Sequence, residues 1–310
     1  MTRQRWGYAV LLGLALVLPF FVEDAVLWMK VMCFALFASA FNLLLGYAGL
    51  LSFGHAAFLG SAGYITGHLV KELGMPPAVG ILAGTGFAAL LGFAFGALAI
   101  RRQGIYFAMI TLALSQLVYF AAVQLPFTHG EDGIQGIPRG TLFGVVDLNS
   151  RFGMYYTVLG IFLLGFLLIH RTIHSPFGQV LRAIKENEPR AISLGYDVNR
   201  YKLLAFVLSA ALSGLAGSTK ALVFQLESLT DVQWHMSGEV VLMTLLGGMG
   251  TVLGPLTGSF LVVMIEDYFA GLGEWVPVIM GCIFVFCVLV FRRGIVGEAA
   301  ALWKRTLPDA

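Results

Sequence analysis

Long apolar runs separated by short polar connections constrain this chain more than any other feature. Runs such as 25–46, 77–100 and 104–125 reach the about 20 residues that cross a bilayer as a helix. Hydrophobic residues make up 58% of the chain and charged ones 12%. That apolar share exceeds the roughly 45–50% of soluble domains. The fold class expected is an all-α polytopic membrane protein of about 8–10 transmembrane helices, with broken or re-entrant segments and an inverted repeat. Spans are expected near 7–22, 25–46, 50–70, 77–100, 104–125, 153–169, 201–222 and 275–291, with a glycine-broken run at 239–265. These consume most of the 310 residues, so residues 1–310 read as one membrane domain without a separate soluble unit.

Charge placement orients the spans. Basic residues gather at Arg3 and Arg5, at Arg101 and Arg102, along the 171–202 loop and at Arg292, Arg293, Lys304 and Arg305. By the positive-inside rule these regions and both termini are expected in the cytoplasm. Segments around Glu23, Glu131, Asp132, Glu227, Asp231, Glu266, Asp267 and Glu274 are then expected outside, including an outer loop at about 126–152. The net charge of +2 gives no reason to expect nucleic acid. The basic residues followed by the apolar run 7–22 mimic a signal peptide, but Phe21-Val22-Glu23-Asp24 offers no small-residue cleavage site, and an uncleaved first span is expected.

Alternation of sides fails at 239–265, where acidic residues expected outside flank a single apolar run. Its middle, Leu245 to Pro255, contains Gly247, Gly248, Gly250, Gly254 and Pro255, which break a helix. A re-entrant run entering from outside is expected, with two short helices meeting at a packed glycine turn as the alternative. Broken backbone at membrane depth is tolerated where it is buried in protein or lines a wet path. A similar stretch, with Gly46, Tyr47, Gly49, Ser52, Gly54 and His55, lies in the first half. The two read as paired interrupted segments at opposite faces, the pointer to a translocation path that inverted repeats offer. The fourfold spacing of Gly80, Gly84, Ala88, Gly92 and Gly96, and that of Ala210, Gly214 and Ser218, instead reads as close helix packing.

Several chemistries lack their residues. No G-x-x-x-x-G-K-[ST] phosphate loop occurs, so the chain is expected not to be an enzyme and to bind no ATP of its own, with no cofactor. The six histidines lack metal-ligand spacing, and Cys33, Cys282 and Cys287 lie inside apolar runs, so no metal site is expected. Ionisable groups that would couple transport to a gradient are scarce. Lys30 and Lys220 read as snorkelling to span ends, and His55 as a packed structural group. Energy is therefore expected from a partner. The docking element is the charged island from Pro176 to Gly195, where Gln179 to Glu188 forms an amphipathic helix with Val180, Leu181 and Ile184 on one face. Its candidate contact residues are Arg182, Lys185, Glu186, Asn187, Glu188 and Gly195.

Three of these stretches together resemble the LivM-type permease of branched-chain amino-acid ABC importers. They are Asn42 to Phe58, Leu181 to Phe206, and Leu246 to Thr251 with Gly254 and Pro255. The outer segment Gly130 to Pro138 has the same look, and the resemblance covers about 25–297. One departure is Glu188-Pro189-Arg190, which replaces the small pair after the acid in the broader E-A-A-x-x-x-G pattern and puts contacts at Pro189 and Arg190 in question. The resemblance implies a bacterial inner-membrane subunit partnered by a LivH-type permease, two cytoplasmic ATPase subunits that bind the ATP, and a periplasmic substrate-binding protein. Branched-chain or related amino acids are the implied solute. Permeases for urea, amides or carboxylates share the family, and a stand-alone secondary transporter or channel for a small polar solute is the rival class.

Overall fold

In a computed structural model, residues 13, 15–21, 24–142, 144, 146–290 and 294–298 are described. Half of the expected first span and the basic residues Arg3, Arg5, Arg292, Arg293, Lys304 and Arg305 fall outside them. Helix α1 (Ala25–Asn42) continues into a π-helical turn at Leu43–Ala48. It is followed by α2 (His55–Lys71), α3 (Pro77–Ala99), α4 (Ile105–Gln124) and α5 (Arg151–His174). Two short helices, α6 (Pro176–Glu186) and α7 (Glu188–Ser193), lead to α8 (Val198–Phe224), α9 (Trp234–Gly247), α10 (Gly254–Phe269) and α11 (Val276–Val290). Among the described residues six helical segments are long and apolar enough to cross a membrane, so this is an all-α polytopic membrane protein. The strands among the described residues are four two-residue pieces: β1 (Ile134–Gln135) pairs with β4 (Leu226–Glu227), and β2 (Thr141–Leu142) with β3 (Val146–Asp147).

Small residues set the centre of the bundle. The glycine stripe of α3 seats α8 as its spacing predicts. A Cβ at Gly92 would overlap Ala210, one at Gly84 would overlap the Ser218 hydroxyl, and one at Gly214 would overlap Ala88. These helices approach closely because at each crossing point a glycine of one faces a small residue of the other. The other face of α3, with Leu82, Leu90, Phe93 and Leu98, is exposed. That is the side an apolar solvent such as lipid satisfies. By contrast α1 is buried on nearly all sides among α5, α8, α9 and α10.

Two interruptions matter for function. After α1 the chain breaks at Gly49, whose φ of +73° suits glycine, and α2 starts only at His55 rather than at about residue 50. In the second half the run 239–265 turns back on itself at its glycines, as the broken run was expected to. It is the helical hairpin α9–α10, closed by a turn in which Gly248 and Gly250 have φ of +117° and +77°. The stretch 225–233, which precedes α9 and includes β4 and a 3-10 turn at Leu229–Asp231, lies along α2. Its Val232 meets Gly60, its Glu227 meets Gly63, and β1 continues the contact toward Gly67. The first turns of α2 and α9 then join, where the Ala56 N–H donates to Ser237 Oγ at 2.9 Å.

Candidate coupling and translocation site

The site assembles at the end of the bundle where α6 and α7 sit. Ser175 caps α6 through the Gly178 N–H, Pro176 opens it, and its apolar face buries Leu181 and Ile184. Asn187 caps α7 by accepting from the Arg190 N–H at 3.0 Å. Gly195, with φ of +88°, turns the chain out of α7 toward α8. Glu188 is fixed by Lys202 of α8, with Nζ and Oε2 2.6 Å apart and the lysine nearly fully buried. The two-helix corner expected from the charged island is therefore present, tied to α8 by one ion pair. Glu186 is exposed on this corner, as are the apolar Ile192, Leu194 and Tyr196.

The corner grips the first glycine segment. Lys185 Nζ donates to the Gly46 carbonyl at 2.7 Å, and the Lys185 stem lies across Gly49, where a Cβ would sit 2.9 Å from its Cγ. Partial burial at this contact pulls the Lys185 ammonium below the ordinary lysine range. Arg182 stacks over the Tyr47 ring at 5.0 Å, a cation–π contact. Further along, Ser52 Oγ accepts from the Gly54 N–H at 3.1 Å and Thr111 of α4 accepts from the Phe53 N–H at 3.1 Å. His55 is fully buried, with Nε2 2.8 Å from Ser209 Oγ and its ring edge-on to Phe41 and Phe58. That is the packed structural histidine expected from the sequence.

The second glycine segment meets the first, which the sequence reading did not anticipate. Asn42 Nδ2 donates to the Thr251 carbonyl at 2.9 Å, and Asn42 Oδ1 accepts from the Gly250 N–H at 2.9 Å. Gly250 also lies so close to Gly46 that a Cβ on Gly46 would sit 2.7 Å from its nitrogen. The two segments thus share one end of the bundle instead of lying at opposite faces. The reason is connectivity: α9 runs toward the same end as α1, so its turn emerges beside the π-helical turn. Gly247, Gly254 and Pro255 form the tight root of the α9–α10 hairpin, with Thr251 Oγ1 accepting from the Gly254 N–H at 3.0 Å.

Asn42 lies inside the quoted motif but carries no role in the sequence reading; a buried amide in an apolar run was the available signal. Its replacement has a defined effect. Asn42→Ala removes two hydrogen bonds to backbone and should cost about 1–3 kcal/mol, and Asn42→Asp, which sets a buried carboxylate oxygen against the Thr251 carbonyl, at least as much. Thermal melting of the detergent-purified variants checks this order, and equal melting of Asn42→Ala and wild type would refute it.

Elsewhere the sequence reading placed Lys220 at a span end, snorkelling. The structure buries it in α8, with Nζ 2.5 Å from Asp231 Oδ1. The stretch 225–233 folds back into the bundle and brings a carboxylate to the lysine, so the ammonium is neutralised internally and has no need of the interface.

Comparison with known proteins agrees with this architecture. Residues 26–291 match the family model described as branched-chain amino acid transport system / permease component. The high-affinity branched-chain amino acid transport system permease protein LivM of Escherichia coli is 27% identical, over 94% of this chain and 75% of its own length. Its Salmonella typhimurium counterpart is 26% identical over the same shares. The autoinducer 2 import system permease protein LsrC of Klebsiella pneumoniae is 30% identical over 61% of this chain and 52% of its own. No solved structure matches. With 26–291 matched and a bundle that joins the signature segments at one end, the chain belongs to the branched-chain amino acid transport system permease family.

Proposed function

We propose that this chain is one membrane half of an ABC importer in a bacterial inner membrane, carrying branched-chain or related amino acids. It works with a LivH-type second permease, two cytoplasmic ATPase subunits and a periplasmic binding protein. Residues 1–310 act as one permease domain, both termini lie in the cytoplasm, and ATP binds only to the partner subunits. The observation that carries this reading is the convergence on one corner: α6 holds the Gly46 segment through Lys185, and Asn42 holds the Gly250 segment.

The mechanism follows from that linkage. ATPase closure moves the α6–α7 corner, whose exposed Arg190, Ile192 and Leu194 form the docking surface. Displacing α6 shifts the Gly46 carbonyl with it, because Lys185 and Gly49 interlock. The Asn42 amide passes the movement to the α9–α10 turn. The segments Gly46 to His55 and Gly247 to Pro255 then open the inner part of the path, where glycine lets backbone face the solute. Six residues of this set, Gly46, Gly49, Gly247, Gly248, Gly250 and Gly254, are positions where a side chain would collide or strain the backbone.

Purification of the tagged chain from native membranes in mild detergent, with mass spectrometry of what accompanies it, tests the assembly. Recovery of an ATPase and a second permease is the expected result. A chain recovered alone and active in liposomes without ATP would replace this reading with a secondary transporter or channel.

A further inference from the structure

One group in the bundle has no use in the coupling linkage. Glu227 of β4 is fully buried, and neither of its carboxylate oxygens has a hydrogen-bond partner among the described residues. It faces α2 at Gly63, where even a Cβ would overlap the carboxylate. Nearby, Lys220 and Asp231 form their own ion pair, and Asp231 also accepts from the Ser228 N–H and hydroxyl. The Tyr64 hydroxyl, on the next residue of α2, is likewise buried and unpartnered. The neighbourhood therefore holds two carboxylates and one ammonium, and that ammonium is spoken for. A buried carboxylate kept for stability is normally paired and hydrogen-bonded. What is missing here is one cationic donor.

The segment 225–233 covers this face of α2, with Val232 buried against Gly60 and Asp231 paired with Lys220 of α8. At its start it is fastened by the β1–β4 pair, by mutual bonds of Gln225 and Ile137, and by Arg139 on the last carbonyls of α8. Lifting it from α2 would open the Gly60–Gly63 face and present Glu227 and the Tyr64 hydroxyl together. We propose that Glu227 receives the ammonium group of the translocated amino acid in a site between α2 and the segment 225–233. The inference rests on the amino-acid reading above and adds to it the residue that recognises the charged end of the solute. Uptake then depends on the negative charge of residue 227, and the unpaired carboxylate of the empty site is retained at the expense of stability.

The test uses the complete importer in proteoliposomes with its binding protein and ATP, measuring L-leucine uptake and ATP hydrolysis for wild type, Glu227→Asp and Glu227→Gln. Melting of the same complexes in detergent is the third readout. Loss of a charged contact predicts leucine uptake reduced about tenfold or more in Glu227→Gln. The complex should still hydrolyse ATP and melt no lower than wild type. Glu227→Asp, which keeps the charge on a shorter side chain, should transport better than Glu227→Gln. Uptake by Glu227→Gln equal to wild type or better than Glu227→Asp, or a lowered melting temperature, overturns the proposal and makes Glu227 a structural group. A wild-type assembly that hydrolyses ATP but imports no leucine overturns the substrate reading, and the inference with it.

Discussion

Glu188→Lys should abolish substrate-stimulated ATP hydrolysis while leaving the chain in the membrane. Glu188 Oε2 is 2.6 Å from Lys202 Nζ, and the lysine is only 3% exposed. Removing one partner of such a buried pair costs about 3–5 kcal/mol, because the remaining charge stays desolvated. Here the replacement adds a second ammonium beside the first. A loss of 3 kcal/mol shifts the docking of α7 on α8 by more than about a hundredfold. The helices of the bundle do not depend on this contact, so insertion should survive. The exchange Glu188→Lys with Lys202→Glu restores opposite charges and should recover much of the activity. Hydrolysis measured in the reconstituted importer decides the matter: unchanged stimulation in Glu188→Lys would remove the corner from the coupling route.

Gly247→Ala should destabilise the protein by about 3 kcal/mol or more, the upper range for overpacking by a single methyl. A Cβ on Gly247 would overlap the Gly254 carbonyl, and one on Gly258 would overlap the Met243 carbonyl. Both obstacles are backbone, so no side chain can rotate away and the α9–α10 hairpin must spread. Gly238 on the same helix provides the control, because a Cβ there meets nothing within 4 Å. Gly238→Ala should melt at or slightly above wild type, since alanine is the better helix former. Equal melting of Gly247→Ala and Gly238→Ala in detergent would show that the hairpin tolerates separation. The expected functional consequence is a displaced turn at Gly250, and with it loss of the bond to Asn42.

The two-helix corner was legible because its signals are local. Pro176, Asn187, Pro189 and Gly195 act through capping and backbone geometry that involves only a few neighbours in sequence. The buried face of α6 follows in the same way from the period of Leu181 and Ile184. The glycine segments were also visible as helix breaks, since φ above zero at Gly49, Gly248 and Gly250 is a property of the residue itself. Charge audit gave the acidic residues a side of the membrane and not an environment. Glu227 and Asp231 are buried in the protein, because the segment that carries them lies in the trough left by Gly60 and Gly63.

Polytopic helical character, the positions of the helix breaks and the charged corner that interrupts the apolar runs could all be read before any tertiary contact was known. Hydrophobic length, glycine conformational freedom and capping are properties of short stretches, so no long-range knowledge was needed. Only the tertiary structure decided which breaks meet. Residues 42 and 250 lie 208 positions apart, and their pairing depends on α1 and α9 ending at the same end of the bundle. The burial of Lys220, Glu227 and Asp231 was decided there too, because burial depends on what the remainder of the chain lays over a residue.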